Sequence, residues 1–212
     1  MQKYFGAIMS RSDEKVCDLI MIKNQNVLSS LALESLAQMV IRNCGAALEN
    51  KWVLLMERIG VFVDVQNIYY TTKDAFGRQF NYRALWKILS NRGQIRTAIA
   101  YATDRNDESQ RKFQTALRHI GFSIKLKPYI QRADGSAKGD WDVGITIDML
   151  QSASDLDRMF LLSGDGDFDL LIQAIKVDHG VPVEVYGVPE LTADSLKRAC
   201  SSFHSISEAL LV

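Results

Sequence analysis

The sequence predicts an α/β domain built on a parallel sheet with helices on both faces, preceded by a helical extension. Three observations carry that expectation. From Arg58 onward, short runs rich in β-branched and aromatic residues alternate with segments of ten or more residues whose apolar positions recur at helical spacing. Such alternation implies parallel strands joined by crossover helices, covered on both sides. Two of the apolar runs stop abruptly at acidic turns, at Asp64 and at Ser163-Gly164-Asp165, as buried strands do where a helix begins. Gly121 and Gly180 stand where a helical pattern closes and the next strand-like run starts.

Residues 1–57 form the extension, in which Val27 to Ala47 can make an amphipathic helix with Leu28, Leu31, Leu36, Met39 and Val40 on one side. Met56-Glu57-Arg58-Ile59 leads directly into the first strand, so Met56 is an alternative start. The domain proper is 58–212. Strand one is about 59–63. Asn81 caps a helix carrying Tyr82, Leu85, Trp86 and Leu89 on one face. Strand two is about 97–101. The helix 108–120 buries Phe113, Ala116, Leu117 and Ile120, and strand three is about 122–126. The loop 129–138 is polar, contains Asp134-Gly135 and reads as exposed and mobile. A helix from about Asp142 places Val143, Ile147 and Leu150 at helical spacing. Strand four at 158–162, a helix over 167–177, strand five at 181–186 and a last helix with Leu196, Ala199, Phe203 and Ile206 complete a mainly five-stranded sheet.

Composition narrows the partners. At 212 residues, 47% hydrophobic and 24% charged, the chain suits a packed domain with an appendage. A formal net charge of zero and a pI near 6.8 argue against whole-molecule attraction to nucleic acid or membrane, so any such partner must be recognised by a local patch. Cys17, Cys44 and Cys200 are scattered and lack the spacing of a zinc site or disulfide framework, as in a reduced cytosolic protein. No apolar run approaches a membrane span, and the first residues lack a secretory pattern. A cytoplasmic location is expected, with the oligomeric state left open, a homodimer included.

The chemistry concentrates around Leu161-Leu162-Ser163-Gly164-Asp165-Gly166-Asp167-Phe168-Asp169. One Asp in such a turn is a helix cap. Three at alternate positions exceed what capping needs, and they repel one another unless a cation sits among them. This stretch reads as one wall of a divalent-metal site. Asp64 after strand one and Asp142 beside Asp140 read as the other walls. Parallel strands end on one edge, so Asp64, Asp165 and Asp167 share it, neighbouring if strands one and four are adjacent. A plain crossover helix is expected to start Asp142 at the opposite edge, so the loop before it must carry the chain up to the site. Asp148, six residues on, lies on a different helix face and is assigned a supporting place, as is Asp169. Relief of repulsion should make Asp165→Asn more heat-stable than the parent without metal.

Competing motifs fail on specifics. An EF-hand reading of Asp165-x-Asp167-x-Asp169 puts Leu170 where Gly is required and Lys176 where Glu is required. No P-loop or Gly-x-Gly-x-x-Gly follows strand one. His119, His179 and His204 lie in or near helices or their ends and read as structural.

At these residues the sequence resembles the NYN/LabA-like branch of the PIN-like nuclease superfamily, also known as the DUF88 family. The matching elements are Phe62-Val63-Asp64-Val65-Gln66-Asn67, Lys138-Gly139-x-x-Asp142-Val143 with Asp148-Met149-Leu150, and Ser163-Gly164-Asp165-Gly166-Asp167-Phe168, spanning about 58–207. The resemblance implies a PIN-like three-layer sandwich with an acidic cluster at the carboxyl edge. It also implies Mg²⁺ or Mn²⁺ and hydrolysis of RNA phosphodiesters. Carried over, Asp64, Asp142, Asp165 and Asp167 are the metal-binding and catalytic carboxylates, with Asn67 and Ser163 as polar companions. Val65-Gln66 replaces the small residue many relatives carry, and Asp140-Trp141 makes Asp140 a second candidate beside Asp142. Hard cations prefer such oxygen ligands. Between Arg111 and Lys138 the basic residues Arg111, Lys112, Arg118, Lys125, Lys127, Arg132 and Lys138 oppose Asp134 alone, a path suited to a phosphate backbone. Lys138 is expected nearest the scissile phosphate. Tyr69, Tyr70, Tyr129 and Trp141 are candidates for stacking on single-stranded bases. The alternative is a regulatory module that keeps the pocket and binds RNA or protein without turnover.

Overall fold

The structure is a computed structural model that describes residues 56–104, 107–128, 130–131, 137–138 and 140–212. The expected extension with its helix at Val27–Ala47, together with Tyr129, Arg132 and the side chain of Lys138, lies outside the described residues. In chain order come β1 (Arg58–Asp64), α1 (Val65–Phe76), α2 (Tyr82–Ser90), β2 (Gln94–Asp104), α3 (Glu108–Ile120), β3 (Ser123–Pro128), β4 (Ile130–Gln131), β5 (Ala137–Lys138) and α4 (Asp142–Ser152). Next are β6 (Arg158–Leu162), a 3₁₀ turn at Gly166–Phe168, α5 (Asp169–Ala174) widening into a π turn at Ile175–His179, β7 (Val183–Gly187), α6 (Asp194–Ala199) and β8 (Ser202–Ser205).

Six parallel strands run in the order β3-β2-β1-β6-β7-β8. Residues of β1 alternate between two cores, because strand side chains point to opposite faces in turn. Ile59, Val61 and Val63 pack with α1, α2 and α3, through Ile68, Leu85 and Leu117 among others. Phe62 packs with α4, α5 and α6, through Met149, Ile172 and Leu196. The result is the three-layer α/β/α sandwich expected from the sequence. Growth from β1 to β3 goes one way, and the crossover to β6 then returns to the other flank of β1. The carboxyl ends of β1 and β6 therefore frame a topological switch point, where open α/β sheets bind ligands.

Four elements differ from the sequence expectation, each for a physical reason. First, α1 occupies a stretch for which the sequence predicts no element; Asp64 caps its start and Gly77, at φ 64°, closes it in the left-handed region. Second, the last helix stops at Ala199, and Ser202–Ser205 joins the sheet as a sixth strand beside Glu184–Gly187. The serines leave a helix readily, and the open edge of β7 supplies partners. His204 thus stands in a strand, stacked on Tyr186 at 4.6 Å with Nε2 2.6 Å from Glu184 Oε2. Third, α4 buries Ile145 and Met149, while Val143 is 67% exposed and Ile147 and Leu150 also face out. Bonds from Tyr101 and Lys125 to Asp148 fix that rotation. Fourth, the loop before α4 holds a short antiparallel pairing of β4 with β5.

Candidate metal centre

The pairing of Val63 with Leu162 sets Asp64 and Ser163, the next residue of each chain, side by side at the carboxyl edge. Ser163 is fully buried there. Its hydroxyl lies 3.5 Å from Asp64 Oδ2 and accepts from the Asp165 N–H at 3.2 Å. Asn67 reaches across from the first turn of α1, its Oδ1 accepting from the Gly164 N–H at 2.8 Å, while its own N–H donates to Asp64 Oδ1 at 3.1 Å. A Cβ on Gly164 would meet the Leu191 carbonyl at 2.5 Å, so only glycine lets the chain leave the edge on this path. Asp165 then accepts from the Asp167 N–H at 3.1 Å and caps the 3₁₀ turn.

Asp142 arrives by topology alone. Since β3 already ends at the carboxyl edge, a crossover helix begins on that edge and runs back to the amino end of β6. The expectation that Asp142 needs a special loop to reach the site is therefore corrected. One carboxylate oxygen from each of Asp142, Asp165 and Asp167 lies within 4.8 Å of the others. Burial pushes the Asp142 carboxyl up to about 6, reinforced by the negative charges of Asp165, Asp140, Asp64 and Asp167. Burial, with the charge of Asp165, also raises Asp64 against the N–H bonds that hold it. Asp64 is thus electrically part of the group, although its oxygens are not within the tight triple. Among the described residues, none of the four is ion-paired. The N-termini of α1 and α4 point at the group and offset part of its charge.

The other expected site residues divide. Asp140 is an exposed neighbour felt by Asp142 through its charge, and its backbone carbonyl holds Lys127 Nζ at 2.7 Å. Asp169 stands in the first turn of α5, outside the triple. Asp148 stands outside the triple, nearly two turns along α4, where it accepts from Tyr101 at 2.6 Å and from Lys125 at 2.7 Å. Trp141 is also spoken for. Its Nε1 donates to the Ala102 carbonyl at 2.9 Å, Lys127 Nζ lies 4.5 Å over its ring, and Tyr101 packs against it at 5.3 Å.

The basic path expected from the sequence splits across the sheet. Arg111, Lys112 and Arg118 ride on α3, which packs on one face through Leu117. Lys125 and Lys127 point to the other face, where α4 lies. Lys112 is paired with Glu108 at 2.9 Å, and Lys125 with Asp148. Charge counted along the chain ignores which layer each residue joins. Nothing in the sequence marks Tyr82 and Gln114 as site residues, yet both line a cavity whose wall includes Val65, the residue after Asp64. The one available signal was a glutamine between Phe113 and Leu117 on an otherwise apolar stripe.

Comparison with known proteins identifies relatives of the domain. The family model of the NYN domain matches residues 58–207. The low amplitude and bright protein LabA of Synechococcus elongatus is 25% identical over 159 residues, covering 71% of this chain and 84% of the relative. A crystal structure of a Vibrio parahaemolyticus protein of unknown function is 47% identical with a TM-score of 0.71, covering 74% of this chain and 97% of that one. No helix among the described residues is long and apolar enough to cross a membrane.

Proposed function

Because the chain belongs to the NYN-domain family, we propose that its acidic cluster is the centre of a metal-dependent ribonuclease acting on single-stranded RNA. The observation that carries this reading is the meeting of three carboxylates within 4.8 Å with no described cation paired to them. The donor set fits Mg²⁺ or Mn²⁺, which take oxygen ligands and few carboxylates. Asp142, Asp165 and Asp167 would hold the ion, with Asp64 beside them. A cation held there would supply an activated water and a counter-charge for the developing negative charge.

The chain's own residues do the rest. Asp64 orients the site from the end of β1, fixed by Asn67 and Ser163. Gly164 keeps the backbone close enough for Asn67 to hold it. Lys127, whose Nζ is held at the Asp140 carbonyl, is assigned with Lys138 and Arg132 to the phosphate backbone. The domain that performs this is 58–212, with 1–57 as an extension.

A second reading is a module that binds RNA or protein without turnover: no continuous basic face forms among the described residues, because Lys112 and Lys125 lie on opposite layers and are each paired with an acid. Labelled single-stranded RNA with Mn²⁺, beside an Asp165→Asn control, separates the two. The nuclease reading expects cleavage by the parent alone. Equal cleavage by both marks contamination, and intact RNA that stays bound favours the module.

A further inference from the structure

We propose that the cavity between α1 and α3 receives one base of the RNA strand, with Gln114 and Tyr82 bonding to its edge. The proposal rests on the nuclease reading of the neighbouring cluster and names what positions its substrate.

The cavity measures about 370 Å³, within the range of small-molecule sites. Val65, the residue after Asp64, is in its wall, so it opens beside the acidic group. The Tyr82 phenol inside it is raised by burial and by the charge of Asp64, which places the two within electrostatic reach. A strand whose phosphate lies at the cluster therefore has a neighbouring nucleotide at the cavity mouth.

Among the described residues, two deep polar groups lack a hydrogen-bond partner. Gln114 is 6% exposed and Tyr82 7%. Among the described residues, neither the Gln114 amide nor the Tyr82 hydroxyl has a hydrogen-bond partner. Buried polar groups are nearly always satisfied, so their occupant must supply donors and acceptors. An amide offers two donors and an acceptor, and a phenol offers one of each. That pairing matches the mixed edge of a nucleobase.

The walls select a flat, neutral guest. Tyr82 meets Phe113 edge-on at 5.6 Å in the floor, and Tyr69 and Tyr70 stand exposed at the rim, 5.3 Å apart. Bases stack on such rings without regard to sequence. An anion is disfavoured. Asp107 also lines the cavity, and its Oδ1 already takes the Ser109 N–H at the start of α3 at 3.0 Å, where a phosphate would otherwise bind.

The test has two arms. In the first, RNA oligomers carrying one abasic residue at successive positions are cleaved with Mn²⁺. The proposal expects kcat/KM to drop roughly tenfold when the abasic residue stands at one fixed offset from the cut. In Gln114→Met and Tyr82→Phe, checked for folding by circular dichroism, the ratio between intact and abasic RNA falls towards one. Equal rates at all abasic positions overturn the base pocket and leave the nuclease reading standing. The second arm uses metal-free protein and the four nucleosides, read by the NMR shifts of the Gln114 side-chain amide. If no RNA is cut, shifts on adding a nucleoside uphold the pocket while the nuclease reading falls. Absence of shifts at millimolar nucleoside overturns the pocket.

Discussion

Removing the Asp142 charge should stabilise the protein in the absence of metal. The Asp142 carboxyl stands at about 6 rather than 3.8, through burial first and then the surrounding carboxylates. The folded state therefore holds this proton where the unfolded chain has released it. Stability from this group is present below about pH 4, declines as pH rises through about 6, and stays low above. The displacement corresponds to about 3 kcal/mol. Asp142 is only half-buried, and solvent screening reduces that to about 1.5 kcal/mol. Its place in the first turn of α4 returns roughly 0.5 kcal/mol through the helix dipole, which the amide would forgo. The net gain for Asp142→Asn is about 1 kcal/mol at pH 7.5.

That gain raises the melting temperature by roughly 2–4 °C in a domain of this size. The assay is thermal unfolding in chelator at pH 7.5 and at pH 4, where the difference should shrink. Millimolar Mn²⁺ should then reverse the order, because it stabilises only the form that binds it. If Asp142→Asn melts below the parent in chelator at pH 7.5, the carboxylate is making a favourable bond and the repelled-cluster reasoning fails. The sequence points to Asp165 for this effect. The structure shifts it to Asp142, because Asp165 is engaged as a cap and Asp142 is not.

Three further outcomes are expected. Asp148→Asn should cost about 1 kcal/mol by weakening the Lys125 and Tyr101 bonds, while titration calorimetry finds Mn²⁺ affinity unchanged within twofold. Gly164→Ala should destabilise by roughly 1–3 kcal/mol in denaturant melts, since its methyl group collides with the Leu191 backbone, and should weaken Mn²⁺ binding by displacing Asp165. Glu184→Ala should cost about 3 kcal/mol by leaving Arg92 and Arg158 beside a vacated anion. Burial opposes ionisation of Glu184, but the bonds from Arg92 and His204 and the charges of Arg92 and Arg158 outweigh it and hold the carboxyl down at about 2. The parent should therefore lose stability as pH falls from about 4.5 towards 2, and the variant should not show that loss.

What could be read from the sequence was local. β6 and α3 were legible to their ends, since each is bounded by turn residues, but the face of α3 was misread: Ala116, expected in the core, is exposed, and Gln114 is buried. The acidic motif was legible for the same reason: Asp165 and Asp167 are two residues apart, and their repulsion needs no fold to be noticed. What was hidden depends on contacts between distant segments. Phe203 fits a helix with Leu196 and Ala199, and only the unpaired edge of β7 makes it a strand residue. Val143, Ile147 and Leu150 fit a core stripe, and only Tyr101 and Lys125 turn that stripe outward. Lys112 and Lys125 look alike on the chain but join opposite layers.

The acids of the cluster differ in what they do for the fold. Asp64 accepts the Asn67 N–H at the start of α1, and Asp165 accepts the Asp167 N–H at the start of the 3₁₀ turn. Both are accounted for by capping, which contributes about 1 kcal/mol to a helix start. Asp142 caps nothing: the residue before α4 is Trp141, and no side chain bonds to that helix end. The Asp142 carboxyl is nevertheless drawn against Asp165 and Asp167, where burial and like charge push it to about 6. A fold selected only for stability would replace it with a neutral residue of the same shape. On the proposed reading its presence is explained by a cation that would enter the gap, with Asp165 already oriented for it by its cap and Asp64 fixed beside it.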